Sequence, residues 1–481
     1  MSFFCKYLFC LFILIRVAYA TQAPVIKLYA APKGEPLSKN YKVRVNGLPL
    51  AIYDAKIGAA DDRKRFLAVD DLLHSDQYYD TAAFGYFDLA GSATITVTID
   101  KPILAVKVLP SSKKIKTVVK GKSVSFVVNK PQNLTVEING EFVRSLHLFV
   151  NPKSTDIINR KDTNLIYFGP GIHYITNMVI GDNKTLYVAG GAILRAAIGK
   201  NEQFGTEPSG LKNYMPRIFV NGKHIRIRGR GIIDAGLSPI HAGNMVMLRG
   251  QDIELEGVIL RNSCGWTVPV RESDGVVINN VKILGYRANS DGIDICNSRD
   301  VTVKNCFIRT NDDLIVVKTF KGEGKASNIL VKQCVLWNQL AHPLSVGAEV
   351  REPVSNVVFT DCDIIHDQGR EWSLRIFQSD ATLVSHIKFD HIRIEEAHNL
   401  ISCWIGKNAN SADQLLGSIR DIIFQNISAA GTPLAVELSA TDGDARISNV
   451  NFINVKLNRK PLKLADIRRA GASKNITITP N

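Results

Sequence analysis

The feature that most constrains this chain is a repeat. A short apolar strand closed by a Gly, Asn, Gln, Asp or His turn residue recurs at 225–229, 253–257, 276–280, 301–305, 329–333, 357–361, 387–391, 422–426 and 450–454. The starts are 23 to 35 residues apart. Repeats of that length indicate a stacked architecture, because one unit cannot bury its apolar face alone and a pile of units can. The units alternate apolar and polar residues and show no helical periodicity. Short strands at coil-length spacing predict a right-handed parallel β-helix from residue 165 to 481. A second strand is expected in each coil, with the inward pairs Ile293/Ile295, Ile315/Val317, Leu344/Val346 and Leu374/Ile376.

The repeat also sets which side chains share a column. Cys306, Cys334 and Cys362 fall in register with Val258, Val281, Ile392, Ile427 and Val455. An apolar column faces the interior, so these cysteines are expected as small core residues. The chain has no CxxC pair and no Cys/His cluster with zinc spacing.

Residues 21–152 read differently. Segments 41–47, 93–99 and 123–128 alternate with period 2 between Asn, Gly and Pro turns, which predicts a small β-sandwich. A polar stretch at 151–164 marks the boundary. Residues 1–20 have Lys6 before an apolar run and end Ala18-Tyr19-Ala20, the pattern of a cleaved secretory signal. The run is too short and too interrupted, by Arg16, for a membrane span. A secreted or periplasmic protein, free of the membrane after cleavage, is the expectation. Loss of Lys6 and Arg16 lowers the formal charge from +14 to +12. For an exported protein that charge suits an acidic polysaccharide better than nucleic acid.

The chemistry is found by reading two positions before each first inward residue of the second strand. Successive coils place Asp291, Asp313, His342 and Trp372 there, and Asp312 directly precedes Asp313. Coils stack at about 4.8 Å. Residues 21 to 30 positions apart thus converge on one patch. Stacked carboxylates repel, so a purely structural sheet disfavours them. The same repulsion raises at least one pKa and keeps one carboxylic acid protonated near neutrality. Glycoside hydrolysis needs that division: one acid for the leaving oxygen and one base for water. Arg375, in the outward column of Asp294, Val316 and Ser345, and Lys318 nearby are expected to hold a substrate carboxylate. Asn289, Trp372 and Glu349 complete the expected substrate contacts.

The blocks 289–295 (NSDGIDI), 311–318 (NDDLIVVK), 342–349 (HPLSVGAE) and 374–376 (LRI), in that order, resemble glycoside hydrolase family 28, the polygalacturonases. Segments 190–194 (GGAIL) and 229–234 (GRGIID) resemble that family's early coils. The resemblance implies an inverting mechanism. Asp312 would be the general acid, Asp291 and Asp313 would hold and deprotonate water, His342 would support the acid or the leaving sugar, and Arg375 would bind substrate. An inverting pair is expected at roughly 6.5–9.5 Å, whereas a separation near 5 Å would indicate retention. It implies no cofactor and no metal, and a monomer acting on a pectic polymer. Three positions depart from the family pattern: Phe377 stands for its second cation, Pro343 for Gly and Leu314 for Cys. A β-sandwich ahead of a β-helix also resembles family 49, which acts on neutral α-glucans. A calcium-dependent polysaccharide lyase and a non-catalytic glycan-binding β-helix are the alternatives of other classes.

Overall fold

The structure is a computed structural model that describes residues 25–59, 78–206, 212–409, 411–441 and 446–480. The expected signal segment lies outside the described residues. No described helix is long and apolar enough to cross a membrane. Among the described residues, the helical elements are two short 3-10 turns, Ser111–Lys113 and Leu464–Asp466.

Two sheets, of six and five strands, precede the repeats. Alternation in strands such as Lys42–Val45 and Ala93–Thr98 buries Val43, Val45, Ile95 and Val97 between the sheets, against Leu134, Val136, Leu146 and Leu148. The pairings are antiparallel except one: Glu141–Pro152 runs parallel to Asp80–Ala90.

From Leu165 to Thr479 the repeats form one continuous 31-stranded sheet, a right-handed parallel β-helix. Each central coil has three strands, one more than the repeat pattern suggests. In one coil these are Arg299–Lys304, Phe307–Thr310 and Ile315–Thr319, and each pairs with its equivalent in the next coil. The middle strand escapes the alternation rule because both of its faces are covered. Its inward residues join the helix core. Its outward residues, among them Phe307, Val335 and Trp337, pack on Tyr53, Phe84, Tyr86 and Phe149 of the sandwich.

The corner between the first and second strands explains the recurring turn residue. Asn280, Asn305, Gln333, Asp361, His391, Asn426 and Asn454 all have φ between 51° and 57°. Asparagine tolerates this left-handed conformation better than most residues. Asn454 donates to the Asn426 side chain at 2.9 Å, linking one corner to the next. Beside the corner, Cys306, Cys334 and Cys362 are fully buried, and all six described cysteines are free thiols, as the core column requires. Rings stack inside the helix as Phe359, Phe389, Phe424 and Phe452, with centroids 4.8 to 5.3 Å apart.

Buried ion pairs tie sandwich to helix. Arg230 reaches Asp88 at 3.0 Å, and Arg261 bridges Glu35 at 2.6 Å and Asp234 at 2.8 Å. Arg309 donates to the Val143 carbonyl at 2.9 Å and stacks on Trp337. These contacts fix the sandwich against the middle-strand face.

Candidate active site

The third strands carry the acidic patch. Just before them the backbone ladder already runs between coils. The Gly292 amide donates to the Asp313 carbonyl, and the Leu314 amide to the His342 carbonyl, both at 2.8 Å. Asp291, Asp313 and His342 are thereby stacked in successive coils, as the register predicts. Gly292 fits only a residue without a side chain, since a Cβ there would lie 2.3 Å from the Leu314 carbonyl oxygen.

One oxygen from each of Asp291, Asp312 and Asp313 lies within 4.8 Å of the others. That nearest approach is tighter than the separation anticipated for an inverting pair. Coil spacing is the reason: two of the acids are chain neighbours and the third sits one coil away, at about 4.8 Å. The Asp313 amide donates to Asp312 Oδ1 at 2.9 Å, which orients the Asp312 carboxyl.

Lys318 sits among these acids. Its Nζ lies 3.1 Å from Asp291, 3.0 Å from Asp294 and 3.9 Å from Asp313, and 4.1 Å from the centroid of the Trp266 ring. Its side chain is only 5% exposed. Lys318 is therefore placed as a counter-ion to the acids, with Trp266 over its ammonium. Asp294, fully buried on the outward column, completes this cluster and was missed by the sequence reading. Its cue was available: Cys296 pairs with Lys318, so Asp294 and Lys318 are diagonal neighbours on one face.

The three acids do not titrate alike. Burial pushes the Asp312 carboxyl well above its ordinary range, and the negative charges of Asp291 and Asp313 push it further. Burial likewise raises Asp291, to about 6, with the Lys318 charge opposing and Asp313 reinforcing. Burial also acts to raise Asp313, but His342, Lys318 and Arg375 outweigh it and hold that carboxyl below the usual range. Asp312 is thus the protonated acid and Asp313 the ionised one.

His342 has one tautomer compatible with its contacts. Arg375 can only donate, so His342 Nε2 accepts from its Nη1, and Nδ1–H donates to Asp313 Oδ1. Burial, then the Arg375 charge, lowers the imidazole pKa and keeps it neutral. His342 therefore orients Asp313 rather than Asp312.

The remaining expected contacts divide. Asn289 is exposed, with φ of 54°, and lines a cavity of about 430 Å³ with Trp266, Arg271 and Phe320, on the N-terminal side of the acids. Trp372 is half-buried and pairs with Asn399 in the next coil. Glu349 is half-buried, and its charge is felt by Lys318 and Arg375. Phe377 is 2% exposed, beneath the Arg375 guanidinium and edge-on to Trp404.

The three aspartates are also close enough to share a cation. The Lys318 ammonium already supplies positive charge at that place, so the donor set fits a metal poorly.

Residues 239–471 match the family described as Glycosyl hydrolases family 28. The resemblance read from the motifs is to that family of glycoside hydrolases. The matched segment contains all four catalytic candidates. A polygalacturonase from Juniperus ashei is 30% identical over 232 residues, covering 45% of this chain and 43% of that protein. An endo-polygalacturonase from Pectobacterium carotovorum subsp. carotovorum is 21% identical, covering 48% and 51%. The chain spans about half the length of the curated relatives it matches. Dex49A from Penicillium minioluteum has the same fold over both parts, with a TM-score of 0.57 at 12% identity and coverage of 91% and 92%.

Proposed function

We propose that the protein is an exported, inverting glycoside hydrolase of a galacturonan-type polysaccharide. One observation carries the reading: three carboxyls lie within 4.8 Å of one another, in surroundings that push Asp312 well above the ordinary range and hold Asp313 below it. In this mechanism Asp312 gives its proton to the glycosidic oxygen as the bond to the anomeric carbon breaks. Asp313, steadied by His342 and assisted by Asp291, takes a proton from water as that water's oxygen bonds to the anomeric carbon. The product is saturated and carries a new reducing end. Arg375 receives a substrate carboxylate through a charge-assisted hydrogen bond. The polygalacturonase relatives support galacturonan as the polymer. The basic charge and the signal-like residues 1–20 support an extracellular or periplasmic place of action.

Phe377, standing where a second cation is expected, favours a second reading: hydrolysis of a neutral α-glucan. A lyase needs a basic group to abstract a proton. Lys318 is unsuited to that, because burial is outweighed by Asp294 and Asp291, which keep it protonated. Incubation with polygalacturonate, pectic fragments and α-glucans tests these readings. New reducing ends from galacturonan, without the ultraviolet absorbance of unsaturated products, are expected. Cleavage of α-glucan alone moves the assignment to the second reading, and unsaturated products reject hydrolysis.

A further inference from the structure

Beyond the acids, toward the C-terminus, the third-strand face changes character. One outward column runs Val316, Ser345, Arg375, Ser402, Glu437 and Arg468. The column beside it runs Phe377, Trp404 and Ser439. Arg375 lies two coils past Asp313 and Trp404 three, at about 4.8 Å per coil.

Arg375 rests on Phe377, 4.3 Å from its ring centroid. Phe377 meets Trp404 edge to face, with centroids 4.4 Å apart and planes at 60°. Phe377 is sealed by these two neighbours, so its ring cannot cover a sugar. Trp404 is half-buried, whereas Phe377 is 2% exposed. Gly406 lies against that ring: a Cβ there would come 2.5 Å from Trp404 Cζ2.

Among the described residues, the cations of this face beyond Arg375 already have partners, although Arg468 stays 75% exposed. Arg468 pairs with Glu437. Lys407 donates to the carbonyls of Ser379, Asp413 and Leu415. Glu437 is 4% exposed, accepts from Ser402 at 2.8 Å, and extends its negative charge to Arg375. A second uronate placed after the one on Arg375 would thus find an aromatic ring and a buried carboxylate. Like charges in such a site repel, whereas an uncharged pyranose face packs on an indole.

We infer that Trp404 is a specificity-determining residue that binds an uncharged pyranose unit next to a single uronate held by Arg375. This rests on the hydrolase reading of the aspartates. The uncharged unit is either a neutral sugar alternating with uronates or a methyl-esterified uronate, and the substrates below separate the two.

The test compares kcat/KM on three oligosaccharides: all-uronate, uronate alternating with a neutral sugar, and methyl-esterified uronate. Wild type, Trp404→Ala, Trp404→Phe and Trp404→Lys are assayed, with circular dichroism and a thermal melt as folding controls. Wild type should prefer at least one substrate with uncharged units. Trp404→Ala should lower kcat/KM on that substrate about tenfold, the scale of one lost aromatic contact, and leave the all-uronate value within twofold. Trp404→Phe should restore most of the loss, and Trp404→Lys should raise all-uronate activity. A Trp404→Ala effect equal on all three, or absent from all three, overturns the inference while wild-type turnover keeps the hydrolase reading. Wild type inert on all three and on longer galacturonan overturns the hydrolase reading and this inference with it.

Discussion

Replacing Lys318 by Met tests how the acid cluster is kept in working order. Lys318 holds its ammonium 3.1 Å from Asp291 and 3.9 Å from Asp313. Two unit charges 4 Å apart attract by about 4 kcal/mol at an effective dielectric near 20. One opposite charge at such range depresses a carboxyl pKa by about 1–3 units. Asp291, now at about 6, should then rise to roughly 7–9 in Lys318→Met. Asp291 must be ionised to assist the water, so the acid limb of kcat/KM against pH moves up by the same amount. At pH 6 the loss is about 5- to 500-fold. The assay is reducing-end release from galacturonan between pH 4 and 9. Removing one partner of a buried pair also costs about 3–5 kcal/mol of stability. The double variant Asp294→Asn/Lys318→Met also removes the Asp294 carboxyl, which burial and Asp291 already push well above its ordinary range, and guards against simple unfolding. A folded variant whose acid limb stays within half a unit of wild type would refute the counter-ion role.

Asp312→Asn should reduce kcat by roughly 10²–10⁴-fold, the usual contribution of a general acid, in a reducing-end assay. The same variant should melt no lower than wild type. Asp312 is raised in the folded state, so its contribution favours folding at low pH and is lost as pH rises above the ordinary carboxyl range. Asparagine cannot ionise, so its stability advantage should grow with pH in thermal melts; a variant that melts lower at neutral pH contradicts the burial argument. Cys334→Val should change stability by less than about 1.5 kcal/mol in urea unfolding, because the column is apolar and holds no bond. A larger loss, or a mobility change on reduction of the wild type, would argue for a disulfide.

The β-helix was legible because its corners repeat. A residue that tolerates left-handed backbone must sit at each one, and the inward column beside it must be apolar. The acids were legible for a related reason: once the register is known, stacked carboxylates at 291 and 313 have no structural excuse. The middle strand was hidden because Phe307, Val335 and Trp337 are covered by the sandwich, which erases the alternation that marks a half-exposed strand. The counter-ion place of Lys318 was not legible because its position is outward, where exposure is the default. What seals it is Trp266, 52 residues earlier, and no local pattern reports that contact. The burial of Phe377 was hidden in the same way. Its position faces the cleft, but Arg375 and Trp404 close over it, and Trp404 is the less buried of the two rings. Such occlusion depends on side-chain direction across coils and has no periodic trace.

The account stands most directly on the stereochemistry of the first product. Proton NMR of a galacturonate oligomer during the first minutes of cleavage reports the anomer before mutarotation mixes it. Direct attack by a water held between Asp291 and Asp313, with Asp312 protonating the leaving oxygen, predicts the inverted anomer. A retained anomer would mean that one of these carboxylates, which lie within 4.8 Å of one another, attacks the sugar itself, and would contradict the roles assigned here.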